Sequence, residues 1–131
     1  MKSPEQSLYD YVGSWSVDAG YDTYDHQPME SENASYPFVR IGDTNTVLTP
    51  NKTSIGATIN LTVNVWGNEE QRLVVDEITN RFLLLASSVL TTNDYRFKGI
   101  MRGSSSQIIK DNSVPNTVLN HGIVQLQFKL I

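Results

Sequence analysis

Cysteine is absent from the 131 residues, which rules out disulfides, thiolate zinc sites and a cysteine nucleophile together. Cations are scarce: ten Lys and Arg stand against fourteen Asp and Glu, for a net charge of −4 and a pI near 5.0. Sequence-independent grip on nucleic acid depends on cations that displace counterions from phosphate. That role is disfavoured here, whereas surrounding DNA without gripping it is not. No apolar run reaches the roughly 20 residues of a membrane helix. The residues after Met1-Lys2-Ser3 are polar and acidic, unlike the core of a signal peptide. Neither export nor a membrane partner is expected, and the Asn-x-Ser/Thr triplets at Asn33, Asn51 and Asn60 are then chance matches.

Recognisable chemistry is also missing. Of the two histidines, His26 comes directly after Asp22-Thr-Tyr-Asp25 and has oxygen ligands nearby. A zinc site needs three or four ligands in reach, and no second histidine lies close in sequence. His121, just before Gly122, reads as a turn residue where a strand begins. The chain has no glycine-rich phosphate loop, Gly-x-Ser-x-Gly elbow or dinucleotide fingerprint. Glu69-Glu70 and Asp76-Glu77 read as a solvated helix face rather than a converging acid pair. The aromatic residues fall at core positions instead of alternating with Arg and Lys, which argues against a platform for single-stranded nucleic acid. No catalytic residue, metal ligand or cofactor is expected.

What is present is pattern. A hydrophobic fraction of 39% and a charged fraction of 18% suit one globular domain over residues 1–131. From Ser54 to Trp66, Ile55, Ala57, Ile59, Leu61, Val63 and Val65 alternate with polar or small neighbours, the period of a strand with one buried face. Tyr36–Ile41 reads as a preceding strand that Gly42-Asp43 closes or bends. Asn93–Met101 and Val124–Leu130 alternate in the same way, with Tyr95, Phe97, Gly99 and Met101 on one face of the former.

Ser3-Pro4-Glu5-Gln6 opens a short first helix with Leu8, Tyr11, Val12 and Trp15 on one face. Gly13 weakens this helix and Ala19-Gly20 ends it. Asn68 caps a second helix, with Gln71 in the capping-box position and Val74, Val75, Ile78, Phe82 and Leu85 as its apolar stripe. Leu73, Leu83 and Leu84 widen that stripe, for deep burial or a subunit contact. The result is an α+β domain, a mostly antiparallel sheet with two helices packed on one face.

Two long polar connections remain, and long connections in small domains tend to be functional. Asp43–Thr53 is one, a candidate protruding β-arm offering Thr44, Asn45, Thr46, Val47, Leu48, Asn51 and Lys52. The other is Gly103–Asn116, where Ile108-Ile109 hint at a short strand; it offers Ser104, Ser105 and Lys110, with Arg102 beside it. An acidic connector, Asp18–Glu32, carries Asp22, Asp25, Glu30 and Glu32 and no Lys or Arg.

This layout resembles one family. The shared features are the capped first helix, the acidic connector and Tyr36-Pro-Phe-Val-Arg-Ile-Gly-Asp43. They continue with the Thr/Asn-rich arm, Thr58-Ile-Asn-Leu-Thr-Val-Asn-Val-Trp66 and the Asn68-Glu-Glu-Gln helix. Together they are similar to the tail completion, or head–tail joining, proteins of long-tailed bacteriophages, and distantly to the phage lambda tail terminator.

The resemblance implies a structural, non-enzymatic virion protein at the head–tail junction, assembled in the bacterial cytoplasm. It would form a ring, generally a hexamer, that caps the tail tube protein and docks on the head connector or stopper protein. DNA would pass through without specific binding. The arm and the 103–116 connection would reach neighbours, and Asp22, Asp25, Glu30 and Glu32 would line the lumen. Two alternatives stand beside this reading. One is a cone-shaped α+β ligand-binding or enzymatic domain, which needs polar groups on its inward face. The other is a different phage morphogenesis part, such as a head-side stopper or a tail chaperone.

Overall fold

Ala57, Ile59, Leu61, Val63 and Val65 alternate along one strand, and the computed structural model, which describes residues 1–28, 34–50 and 55–131, buries all five. Along the chain come helix α1 (Pro4–Asp18), strands β1 (Thr23–Tyr24), β2 (Phe38–Pro50) and β3 (Ile55–Asn68), and helix α2 (Arg72–Leu83). A 3-10 turn, Leu84–Ser87, leads to β4 (Val89–Thr91) and β5 (Arg96–Gly99); a second, Met101–Gly103, leads to β6 (Ser105–Asp111) and β7 (Leu119–Leu130). The sheet order is β1-β2-β3-β7-β5-β4, with β6 on the same edge of β7 as β5. The short β1–β2 pair is parallel and the other pairs are antiparallel. The expected α+β class is the observed one.

Register explains the core. Ile41, Val63 and Val124 stand in one row across β2, β3 and β7, and Leu61 faces Leu126 as Ile59 faces Phe128. Leu8 and Val12 of α1 and Val75, Ile78 and Phe82 of α2 pack into the same cluster, so both helices cover one face. Trp15 meets Phe82 edge-on at 4.8 Å between ring centres. Arg81 lies 5.5 Å from the Trp15 ring and donates to the Tyr21 hydroxyl at 2.7 Å, closing the outer side of this aromatic group.

Several boundaries differ from the sequence expectation. Helix α1 runs 15 residues, straight through Gly13. Ser3 caps it by accepting the Gln6 N–H at 3.1 Å, but the Gln6 side chain bonds Asp10 at 2.9 Å and leaves the capping box half made. Helix α2 begins at Arg72, after a turn in which Gln71 Oε1 accepts the Asn68 N–H at 2.9 Å. Its buried side is Val75, Ile78, Thr79 and Phe82, whereas Val74 and Leu73 are exposed. Thr79 fits the buried face because its hydroxyl returns to the Val75 carbonyl at 2.9 Å.

Gly42-Asp43 does not end β2. Both residues face Thr62, a one-residue bulge after which the ladder resumes through Pro50. The expected 43–53 connection is therefore strand up to Pro50, and residues 51–54 lie outside the described set. Likewise, half of the expected 103–116 connection is strand β6, which includes the Ile108-Ile109 pair. Met101 sits exposed in a 3-10 turn rather than on the Phe97 face.

Two glycines test this architecture. A methyl on Gly13 would meet open space, so Gly13→Ala should raise stability by about 0.5–1 kcal/mol. A methyl on Gly99 would collide with the Ala86 carbonyl, so Gly99→Ala should cost about 1–3 kcal/mol. Urea unfolding midpoints of the two variants should move in opposite directions.

Candidate assembly surface

The face of the sheet away from the helices is organised by amides. Asn60 donates to Asn45 Oδ1 at 2.8 Å, and Gln127 donates to Asn60 Oδ1 at 3.0 Å, a cross-strand ladder over β2, β3 and β7. At Gln127 the neighbouring edge is interrupted: five residues, Ile100–Ser104, face only Leu126 and Gln127. The Ile100 N–H donates to the Gln127 carbonyl at 2.8 Å. Ser104 Oγ accepts the Gln127 N–H at 3.0 Å and donates to the Ile100 carbonyl at 2.8 Å. Ser104 is thus occupied in holding the bulge, while Arg102 is exposed in the turn.

The expected contact residues separate into two groups on opposite sides of the sheet. Thr44–Leu48 lie along β2, where Asn45 joins the amide ladder and Thr46 donates to Glu5 Oε1 at 3.0 Å. Val47 and Leu48 are 52% and 64% exposed, unusual for paired aliphatic residues in a strand. Ser105 and Lys110 lie on β6, where the Lys110 amine donates to Asn120 Oδ1 at 2.8 Å. Asn51 and Lys52 fall outside the described residues.

The acids do not join either group. Asp22 and Asp25 are exposed beside α1, and Glu30 and Glu32 lie outside the described residues. Asp25 accepts from His26 Nδ1 at 2.8 Å, and this bond holds its carboxyl below the usual range. Asp25 lines an open groove of about 500 Å³ with Tyr9, Asp10, Tyr24 and Ile41. Burial, helped by the Asp25 and Asp10 carboxylates, pushes the Tyr9 hydroxyl pKa up.

A pair of residues missed in the sequence lies beyond the ladder. Trp66 and His121 are direct cross-strand partners whose rings stack at 3.8 Å and 10° from parallel. His121 is therefore a strand residue and not the turn residue its Gly122 neighbour suggested. Its Nε2 lies 2.8 Å from Oδ1 of the buried Asn64, an acceptor, so Nε2 carries the proton. Burial lowers the His121 pKa from the usual 6.5, against a weaker upward pull from Asp111. Asn120, fully buried, donates to the carbonyls of Asn68 (2.8 Å) and Glu69 (3.3 Å) and so pins the turn before α2.

Among the described residues no group of three or more His, Asp or Glu side chains is placed to hold a metal ion. No helix there is long and apolar enough to cross a membrane. The inward positions from Ala57 to Val65 and from Val124 to Phe128 are apolar and buried, unlike the polar lining that a ligand-binding cone requires.

No protein-family model matches the chain, and no curated protein matches it. In fold, the protein belongs with helix-backed, curled antiparallel sheets. A chain in the solved structure described as "Virion of native gene transfer agent (GTA) particle" shares that fold with a TM-score of 0.60 and 12% sequence identity. The match covers 98% of this chain and 94% of that one, so the two are alike from end to end.

The Trp66–His121 pair gives a signed pH dependence. His121 binds its proton less readily folded than unfolded, so its contribution is complete above pH 6.5 and is lost as pH falls from there toward the lowered folded value. The thermal unfolding midpoint of the protein should fall as pH drops through that window. His121→Gln, which keeps a donor for Asn64 but does not titrate, should flatten the curve, and the imidazole proton shifts should report a midpoint below 6.5.

Proposed function

We propose that this protein is a structural component of a phage-like virion that caps the tail tube as a ring and joins the tail to the head connector. The observation that carries this reading is the end-to-end fold likeness to a chain of a gene transfer agent virion. The sequence layout, which resembles tail completion proteins, points the same way. The partners are further copies of the chain in a hexameric ring, the tail tube protein and the head connector or stopper protein. DNA passes through the lumen without specific binding.

In this reading the contacts come from the arm, Thr44–Leu48 with Asn51 and Lys52, and from Arg102, Ser104, Ser105 and Lys110. The acidic connector with Asp22, Asp25, Glu30 and Glu32 faces the DNA path, where like charge keeps phosphate from adhering.

Light scattering on the pure protein, and then negative-stain imaging with tail tubes added, tests this. The expected result is a ring, or a monomer that becomes a ring at one end of each tube. A monomer that ignores tubes and connectors at high concentration would sink the proposal. For the acids, Asp22→Lys with Asp25→Lys should leave assembly intact and slow DNA ejection, and an unchanged ejection rate would remove them from the lumen.

A further inference from the structure

Besides the short outer edges of β1 and β4, two and three residues long, two described strands have an edge that no other described strand covers, and they lie on opposite sides of the sheet. On one side it is β2 from Gly42 to Pro50, since β1 reaches only Val39 and Arg40. On the other it is β6, which pairs with β7 alone. Open edges are normally guarded by charge, proline or bulges. Here Thr44–Thr49 and Ser105–Ile109 carry no charge at all. The guards stand only at the ends: the Gly42-Asp43 bulge and Pro50 on β2, Lys110-Asp111 on β6.

We infer that these two edges pair with each other between neighbouring copies of the chain, β6 of one against the outer edge of β2 in the next. The inference rests on the proposed ring and names the contact that builds it. Strand direction allows it. β2, β3, β7 and β6 are successively antiparallel, so the next copy's β2, in the same orientation, runs opposite to β6. Antiparallel alternation then continues unbroken across the junction, as in strand addition generally.

Side-chain parity selects the register. Val47 stands opposite Thr58, and Ile109 opposite His121 and thence Trp66, which places both on the amide-ladder face. Leu48, opposite Ala57, and Ile108, opposite Gly122, share the helix face. Setting Ile109 against Val47 therefore sets Ile108 against Leu48, and covers Val47, Leu48 and Ile109, which are 52%, 64% and 40% exposed in the single chain. The same register places Lys110 against Thr46, whose hydroxyl already holds the Glu5 carboxylate. A slip of one residue would put every partner on the wrong face.

Because the two edges differ, the contact is heterologous and propagates, closing when the rotation per copy allows. Ile109 is level with Trp66 and Val47 with Thr58, so neighbours are displaced by eight residues along the strand. A ring so built has strands inclined to its axis, as closed sheets do.

The lack of cysteine makes the contact directly testable. Directly opposed antiparallel residues have Cα atoms about 4.5–5.5 Å apart, within disulfide range. In the full chain, Val47→Cys combined with Ile109→Cys should shift from monomer to a ladder of covalent multimers on mild oxidation, in the presence of tail tubes if rings need them. Leu48→Cys with Ile109→Cys, on opposite faces, should give no ladder. Rings seen by light scattering or imaging without cross-links in the first variant would overturn the edge contact and leave the ring itself standing. Absence of rings and cross-links together would remove both. Covalent dimers from Ile109→Cys alone would show β6 pairing with itself and overturn the head-to-tail arrangement.

Discussion

The register of β3 is the constraint on which the other elements depend. It sits between β2 and β7, pairs with both over nearly its full length, and sends five aliphatic or small side chains to one side. Each buried Ile, Leu or Val is worth roughly 1.5–3 kcal/mol against exposure, as an upper bound. A one-residue slip would turn that whole set outward. Both helices gather on the side it chooses: Val75 and Phe82 from α2, Leu8 and Val12 from α1. The amides of Asn60 and its neighbours are then left to organise the other side.

That division gives the molecule two kinds of surface. The helix side is sealed by Trp15, Tyr21, Phe82 and Arg81, whose aromatic and cationic contacts finish the core. The amide side is polar but largely self-satisfied, with Asn45, Asn60 and Gln127 bonding one another. Exposed aliphatic side chains occur on the helix side too, at Val17, Leu73 and Leu84, but at the flanks Val47, Leu48 and Ile109 meet solvent beside open backbone groups. In the proposed ring, a flank is where the next copy arrives.

The sequence made the buried strands legible because burial on one face imposes period two, as in Ala57–Val65 and Val124–Phe128. It only hinted at β6, through Ile108-Ile109, for the converse reason. Ser105-Ser-Gln-Ile-Ile-Lys-Asp111 is almost entirely exposed, so no buried face imposed an alternation. The Gly42-Asp43 bulge read as a possible strand end because both features place Gly and Asp after an apolar run, and only the partner strand distinguishes them. Val74 and Val75 are equally apolar, and which one faces the sheet depends on where α2 starts. That start is set by the long-range bonds of Asn120 to the turn before the helix. The Trp66–His121 stack joins residues 55 positions apart and left no local trace. Of the expected contact residues, Thr44–Leu48 form paired strand, and Asp22 and Asp25 lie apart from them.

The five-residue excursion at Ile100–Ser104 has a consequence for scale. It splits one side of β7 into two lengths: a part taken by β5, with the short β4 beyond it, and a part taken by β6 alone. Ser104 and Gln127 fix the point of division with three hydrogen bonds around one carbonyl, one amide and one hydroxyl. The excursion is therefore a length gauge. It sets the open flank at the seven residues of β6, and a chain that moved this break along β7 would lengthen or shorten that flank without altering its core.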